Sequence, residues 1–116
     1  MEEYYQRHKL RYFRVALTRL TWPAERQQAW LREIGIPVCA DELALEFDDF
    51  YEDLGRSPGH GEATPALAEL DCLLTRMSGE VNAHLWTFDA LAAEPDWRRV
   101  RELATAALAV LPDHAG

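Results

Sequence analysis

A run of acidic residues is the clearest chemical feature of this sequence. Residues Asp41 to Leu54 read DELALEFDDFYEDL and contain seven Asp or Glu side chains and no Lys or Arg. Carboxylates four residues apart, such as those of Asp48 and Glu52, lie on adjacent turns of a helix and can bind a cation together. The same charge also attracts a basic protein surface.

Two absent patterns argue against a dedicated metal site in this stretch. A carboxylate-bridged dimetal centre in a helical bundle also uses Glu-x-x-His, and no Glu in this chain is followed three residues later by His. The Asp-x-Asp-x-Asp-Gly spacing of an EF-hand loop is absent too. We therefore predict no metal and no cofactor, apart from weak nonspecific binding of Ca²⁺ or Mg²⁺.

The other reactive side chains form no recognisable catalytic pattern. The glycine-rich segment 55–61, GRSPGHG, lacks the Lys-Ser/Thr of a P-loop, and His60 within it fits an exposed loop histidine. We expect His84 in the core or at its boundary. Cys39 and Cys72 have no metal or redox spacing, so we expect two buried free thiols. The sequence therefore favours a noncatalytic protein, with a small enzyme that uses the 55–63 loop as an alternative.

The acidic stretch has the periodicity of an amphipathic helix. At about 100° per residue, its large apolar residues fall in one narrow stripe. This stripe consists of Leu43, Phe47, Phe50 and Leu54, with Tyr51 at its edge. Leu45 is the exception, because it projects from the acidic side. An apolar residue inside an acidic face is a candidate contact for a partner protein.

Periodicity and capping signals predict two helices before this stretch. The first covers residues 2–20 and carries a basic stripe of Arg7, Arg11 and Arg14. The next begins at Thr21-Trp22-Pro23, with Thr21 as the cap, and ends at a left-handed Gly35. The acidic helix follows, with its cap near Asp41 and its end at Gly55.

Two more helices are predicted after a flexible loop at residues 55–63. Thr64-Pro65 begins the first, and Ser78-Gly79 ends it. For residues 78–95 the sequence allows two alternatives, which are a bent continuation of that helix and a separate short helix near 88–93. The last helix runs from near Pro95 to Pro112 and precedes a polar tail at 112–116.

These elements predict an all-α fold. No segment has the alternation of a β-strand. We expect a compact single-domain bundle of five to six helices over residues 1–111. The four tryptophans are expected to anchor its core and helix junctions.

The net charge of −8 is unevenly distributed along the chain. Residues 1–36 carry +3, residues 37–96 carry −12 and residues 97–116 carry +1. Such a field repels nucleic acid and anionic membranes, and it attracts basic proteins. No run approaches the roughly 20 apolar residues of a membrane helix, and the first residues lack the order of a signal peptide. We therefore predict a cytoplasmic protein.

The function that best fits these features is that of a small acidic binding protein, which docks a basic partner protein through its acidic helix. Immunity proteins and antitoxins, which inhibit other proteins, share this character. The predicted partner-binding residues are Glu42, Leu45, Glu46, Asp49 and Asp53. Leu45 is the expected anchor, and the acids are the expected steering charges.

A helical homo-oligomer is the second hypothesis, in which the acidic helix meets the basic first helix of a neighbouring copy. The sequence also leaves open whether the acidic helix is already covered within the fold by Arg7, Arg11 and Arg14.

Overall fold

A computed structural model of the chain shows an all-α fold. It describes residues 2–35, 40–52 and 64–111, and for residues 2–7 and 64 it describes only the backbone. In these ranges the structure has no β-strand. It has six α-helices and one 3₁₀ helix, so the all-α prediction is confirmed and the helix count slightly exceeds the predicted five to six. The elements are α1 (Glu2–Thr21), α2 (Ala24–Glu33), α3 (Asp41–Phe50), α4 (Thr64–Met77), the 3₁₀ helix (Glu80–Trp86), α5 (Ala90–Ala93) and α6 (Pro95–Val110).

Helix α6 is the centre of the bundle. It packs against α1 on one side and α4 on the other, and α1 also packs against α3. Trp97 and Ala104 of α6 are fully buried. So are Phe13, Leu17 and Leu20, which form an apolar stripe on α1. The radius of gyration is 14.0 Å, and no helix in the described ranges is both long and apolar enough to cross a membrane.

A buried glutamine joins α2 to its neighbours. Gln27 is fully buried, and its Nε2 donates hydrogen bonds to the carbonyl oxygens of Arg19 at 3.0 Å and Leu20 at 3.3 Å. Its Oε1 accepts a 3.2 Å hydrogen bond from Arg101 of α6. Burial, with a smaller contribution from the charge of Arg98, lowers the pKa of Arg101 below the usual arginine range. The amide of Gln27 therefore connects α1, α2 and α6 through satisfied polar contacts.

Three helix ends test the capping predictions. Gly35 has a φ of 81°, so the predicted left-handed position after α2 is confirmed. Thr21 does not cap α2, because α1 continues to Thr21 and its hydroxyl donates to the Thr18 carbonyl oxygen at 2.6 Å. The cap position of α2 is Pro23, without a side-chain hydrogen bond. Likewise, Ala40 is the cap residue of α3 and Asp41 is its first helical residue.

The acidic helix is shorter as an α-helix than predicted. Helix α3 ends at Phe50, and Tyr51 and Glu52 continue it as a π-helical turn. The predicted end at Gly55, the loop 55–63 with His60, and Asp53 all lie outside the described residues.

The structure resolves the open region between α4 and α6. Helix α4 ends at Met77, and Gly79 adopts φ 101° and ψ 156°, a conformation that is essentially restricted to glycine. This turn excludes a continuous bent helix over 78–95. The chain instead forms the 3₁₀ helix and then α5, which confirms the predicted short helix near 88–93.

Two burial predictions are wrong. His84 is exposed, because the 3₁₀ helix has three residues per turn and presents Leu85 to the core instead. Cys72 is exposed because it lies on the side of α4 opposite Leu70, Leu74 and Met77, which are buried. Cys39 lies outside the described residues. Among the tryptophans, Trp97 is fully buried, whereas Trp22, Trp30 and Trp86 are half-buried.

Candidate functional site

Aromatic packing fixes the rotation of α3 against α1. Phe47 is fully buried, and its ring centroid lies 5.7 Å from that of Phe13 on α1 and 5.1 Å from that of Tyr51. Phe50 stacks on Tyr12 with centroids 6.0 Å apart. Because these rings hold the predicted apolar stripe against α1, most of the acidic side chains of α3 lie on the other sides of the helix.

A groove of about 680 Å³ lies between α3 and α4. The two helices line it with the same helical spacing, i, i+3, i+4 and i+7, which places four residues of each on one face. Helix α3 contributes Asp41, Ala44, Leu45 and Asp48, and α4 with its C-terminal extension contributes Asp71, Leu74, Thr75 and Ser78.

Trp86 forms part of the apolar lining of this groove and joins its two sides. Its indole Nε1 donates a 2.7 Å hydrogen bond to the Met77 carbonyl oxygen at the end of α4. Its backbone carbonyl accepts a 2.8 Å hydrogen bond from the Ala40 N–H at the start of α3. The Trp86 ring also meets the buried Trp97 ring edge-on, with centroids 5.3 Å apart. These contacts fix the ring, so this part of the groove is preformed.

The end of α4 is closed by side chains of the following turn. Asn82 Nδ2 donates to the carbonyl oxygens of Arg76 at 2.9 Å and Ser78 at 3.0 Å. The Ser78 hydroxyl donates to the Leu74 carbonyl oxygen at 3.0 Å. The last carbonyl groups of α4 are therefore satisfied within the chain, and Gly79 supplies the turn beside the groove.

The groove combines an apolar surface with negative charge. Its ionisable lining residues in the described part of the chain are Asp41, Asp48 and Asp71, and all three are acidic. Leu45 is 54% exposed, which leaves a large apolar side chain in contact with solvent between carboxylates. This arrangement suits a ligand that offers both apolar surface and positive charge.

The carboxylates do not converge on one point. In the part of the chain that the structure describes, no three His, Cys, Asp or Glu side chains are grouped closely enough to hold a metal ion. The negative charge is instead spread along the groove, which fits an extended ligand better than a single ion.

The structure separates the predicted partner-binding residues into two groups. Leu45 lies in the groove. Glu42, Glu46 and Asp49 follow a different stripe of α3, about 40° to 100° around the helix from Leu45. Asp49 is exposed and Glu42 is half-buried, whereas Asp53 lies outside the described residues.

Glu46 is engaged inside the fold. Its carboxylate binds the guanidinium of Arg19 on α1, and the two side chains are only 21% and 24% exposed. The Arg19 guanidinium carbon also lies 4.7 Å from the ring centroid of Trp30. The acidic helix is therefore neutralised in part by α1, through a residue that the sequence analysis did not select.

The predicted basic stripe of α1 has other positions in the structure. Arg14 Nη1 donates a 2.8 Å hydrogen bond to the Leu111 carbonyl oxygen beyond the end of α6. Arg11 is exposed, and the side chain of Arg7 is outside the described set. Arg19 lies seven residues after Tyr12, on the face of α1 that meets α3 in the structure. The sequence alone does not show that this face meets the acidic helix.

No known protein family matches this chain, and neither a curated protein nor a solved structure is similar to it. The groove, its charge and its exposed leucine are therefore the features that bear on function.

Proposed function

We propose that this chain is a noncatalytic binding protein that docks a basic partner protein through α3. One observation carries the proposal: Leu45 is exposed in a groove whose ionisable residues, among those described, are all acidic. Burial of an exposed apolar side chain by a partner lowers the free energy of the complex. Carboxylates around it select a basic partner and speed the encounter between the two proteins.

The distribution of charge supports the same proposal. Residues 37–96 carry a net charge of −12, whereas the chain as a whole carries −8. Residues 42 and 49 add carboxylates to the solvent side of α3 next to Leu45. Like charges this close repel each other along a helix, so their concentration here costs some stability. A role in binding accounts for that cost.

An inhibitor is the form of binding protein that fits these features best. A protein that binds nucleic acid presents a positively charged surface to the phosphates. An acidic protein that covers this surface competes with the nucleic acid directly. We therefore propose an inhibitor of the immunity or antitoxin type, with a basic nucleic-acid-binding protein or nuclease as the target. The cytoplasmic location stays a prediction of the sequence.

Affinity capture from a lysate of the source organism tests the docking function. The bait is the wild-type chain beside a Glu42→Lys, Asp49→Lys variant, which reverses two charges on α3. A Glu25→Lys, Glu33→Lys variant is the matched control, because both residues are exposed on α2 and the change in net charge is the same. Glu46 is unsuitable for this purpose, since its substitution also breaks the contact with Arg19.

We expect the wild type and the α2 control to capture the same basic protein at low salt and to release it at high salt. The α3 variant should lose it. Capture of identical proteins by all three baits, or of none by the wild type, would refute docking through α3.

A further inference from the structure

We infer that the groove between α3 and α4 accepts an amphipathic helix of the basic partner, with bases at positions i and i+7 and apolar residues at i+3 and i+4. This inference rests on the proposed function and names the element of the partner that is recognised. It goes further because it assigns the groove residues Asp41 and Asp48, which the predicted partner-binding set did not contain.

The spacing of the two α3 carboxylates determines this pattern. Asp41 and Asp48 are seven residues apart on one helical face, which corresponds to about 10.5 Å along the axis. Positions i and i+7 of a helix laid along α3 have the same separation. Two Lys or Arg side chains at these positions can therefore meet both carboxylates at once. The residues between them, at i+3 and i+4, then face Ala44 and Leu45.

The second wall of the groove favours the same occupant. Asp71 provides a third carboxylate on α4, and Leu74 lies one turn further along the same face. Trp86, which is half-buried, adds apolar surface between the two walls. An amphipathic helix that lies in a groove between two helices buries its apolar face against both of them, as other groove-bound helices do.

Charge complementarity decides among the possible occupants. A second copy of this chain carries a net charge of −8 and is repelled at long range by the acidic groove. An anion is repelled for the same reason. A neutral apolar ligand would bring no positive charge to the groove carboxylates. A helix that presents both bases and apolar residues uses the whole lining of the groove.

Synthetic peptides test this inference without knowledge of the partner. The matched peptide is an Ala-rich helix of about 18 residues, since shorter helices are marginal in water. It carries Lys at i and i+7 and Leu at i+3 and i+4. The control peptide has the same composition, with both Lys residues moved to the face opposite the leucines. Fluorescence anisotropy of the labelled peptides measures binding to the wild-type chain.

We expect the matched peptide to bind roughly tenfold more tightly than the control peptide, because the matched peptide alone presents its lysines to the groove carboxylates. An Asp41→Asn, Asp48→Asn variant should lose most of this difference. An Asp41→Glu, Asp48→Glu variant should keep it, which separates the effect of charge from that of folding. A Glu25→Gln, Glu33→Gln variant on α2 is the matched control and should bind the matched peptide like the wild type.

Equal affinity for both peptides, or no binding of either, overturns the groove assignment. Light scattering could also overturn it. If the chain forms a stable dimer that must dissociate before either peptide binds, a second copy occupies the groove. In each case the lysate capture with the Glu42 and Asp49 variant still reports separately on whether α3 docks a basic protein. A failed capture together with a failed peptide experiment refutes both proposals.

Discussion

Arg19 of α1 binds the carboxylate of Glu46 on α3, and the ring of Trp30 covers the same guanidinium. Tyr12 stacks on Phe50 earlier along α1, so the two helices run antiparallel and Arg19 meets α3 nearer its middle. This pair removes one carboxylate from the acidic surface available to a partner. It also explains why the charge of α3 does not prevent its packing on α1.

A double-mutant cycle measures the contribution of this ion pair. Arg19→Met and Glu46→Gln each leave a largely buried charged partner behind, so we expect each single variant to lower the free energy of unfolding by about 1–3 kcal/mol. The double variant should lose clearly less than the sum, with a coupling energy of about 0.5–3 kcal/mol. Urea unfolding of the four proteins gives these values. Strict additivity would show that the two side chains do not interact in solution.

Leu45 and Phe47 should separate binding from stability. Phe47 is fully buried among aromatic rings, so Phe47→Ala should cost about 3–5 kcal/mol and unfold much of the chain. Leu45 is more than half exposed, so Leu45→Ala should change stability by less than about 1 kcal/mol while it weakens partner binding. Circular dichroism and thermal unfolding report on the fold of both variants. If Leu45→Ala unfolds the chain as readily as Phe47→Ala, Leu45 is a core residue and not an anchor.

Gly79 should resist substitution although nothing crowds it. A Cβ added there would meet no atom within 4 Å, yet its φ of 101° and ψ of 156° disfavour all other residues. We therefore expect Gly79→Ala to lower the free energy of unfolding by about 1–3 kcal/mol through backbone strain alone. Chemical denaturation measures this loss, with Glu80→Ala at the neighbouring exposed position as the control for a change in the same turn. An unchanged denaturation midpoint for Gly79→Ala would mean that the turn differs from the one described.

Trp97 should stabilise the fold through its hydrogen bond as well as through its size. The ring is fully buried, and Nε1 donates a 2.6 Å hydrogen bond to the Leu85 carbonyl oxygen. Trp97→Phe keeps an aromatic ring but leaves this carbonyl without its donor, so a loss of about 1–3 kcal/mol is expected, with a further cost from the smaller volume. Trp86→Phe is the comparison, since Trp86 is only half-buried and water can replace its donor more easily. Thermal unfolding should therefore rank Trp97→Phe as the more destabilising change.

Local sequence patterns predicted much of the fold, because they act within one helix. The apolar stripes of α1, α3 and α6, the left-handed Gly35 and the start of α4 at Thr64-Pro65 all follow from spacing or from the chemistry of one residue. The error at His84 has a local cause as well. The apolar spacing of the sequence continues past Gly79, but the helical period changes from 3.6 to 3.0 residues per turn, and His84 is therefore exposed.

The candidate site was less accessible to sequence reasoning, because it depends on how separate helices meet. The spacing of Asp41, Leu45 and Asp48 was visible in the sequence, but nothing in it placed Asp71 and Trp86 across from them. The regular spacing of Arg7, Arg11 and Arg14 predicts a basic stripe that could cover the acidic helix, whereas it is the single Arg19 that binds Glu46. Helix-to-helix register is a tertiary property, and one sequence without a structure does not determine it.

Site-specific photo-crosslinking in cells tests the central claim most directly. A benzoylphenylalanine placed at Leu45 reports on the proteins that contact the groove, and the same group at the exposed Ala109 of α6 is the control. We predict that position 45 yields an adduct with a basic protein, that position 109 does not, and that the adduct disappears when cell extracts are crosslinked at high salt. Absence of any adduct from position 45, or the same adducts from both positions, would contradict the claim that α3 docks a basic partner.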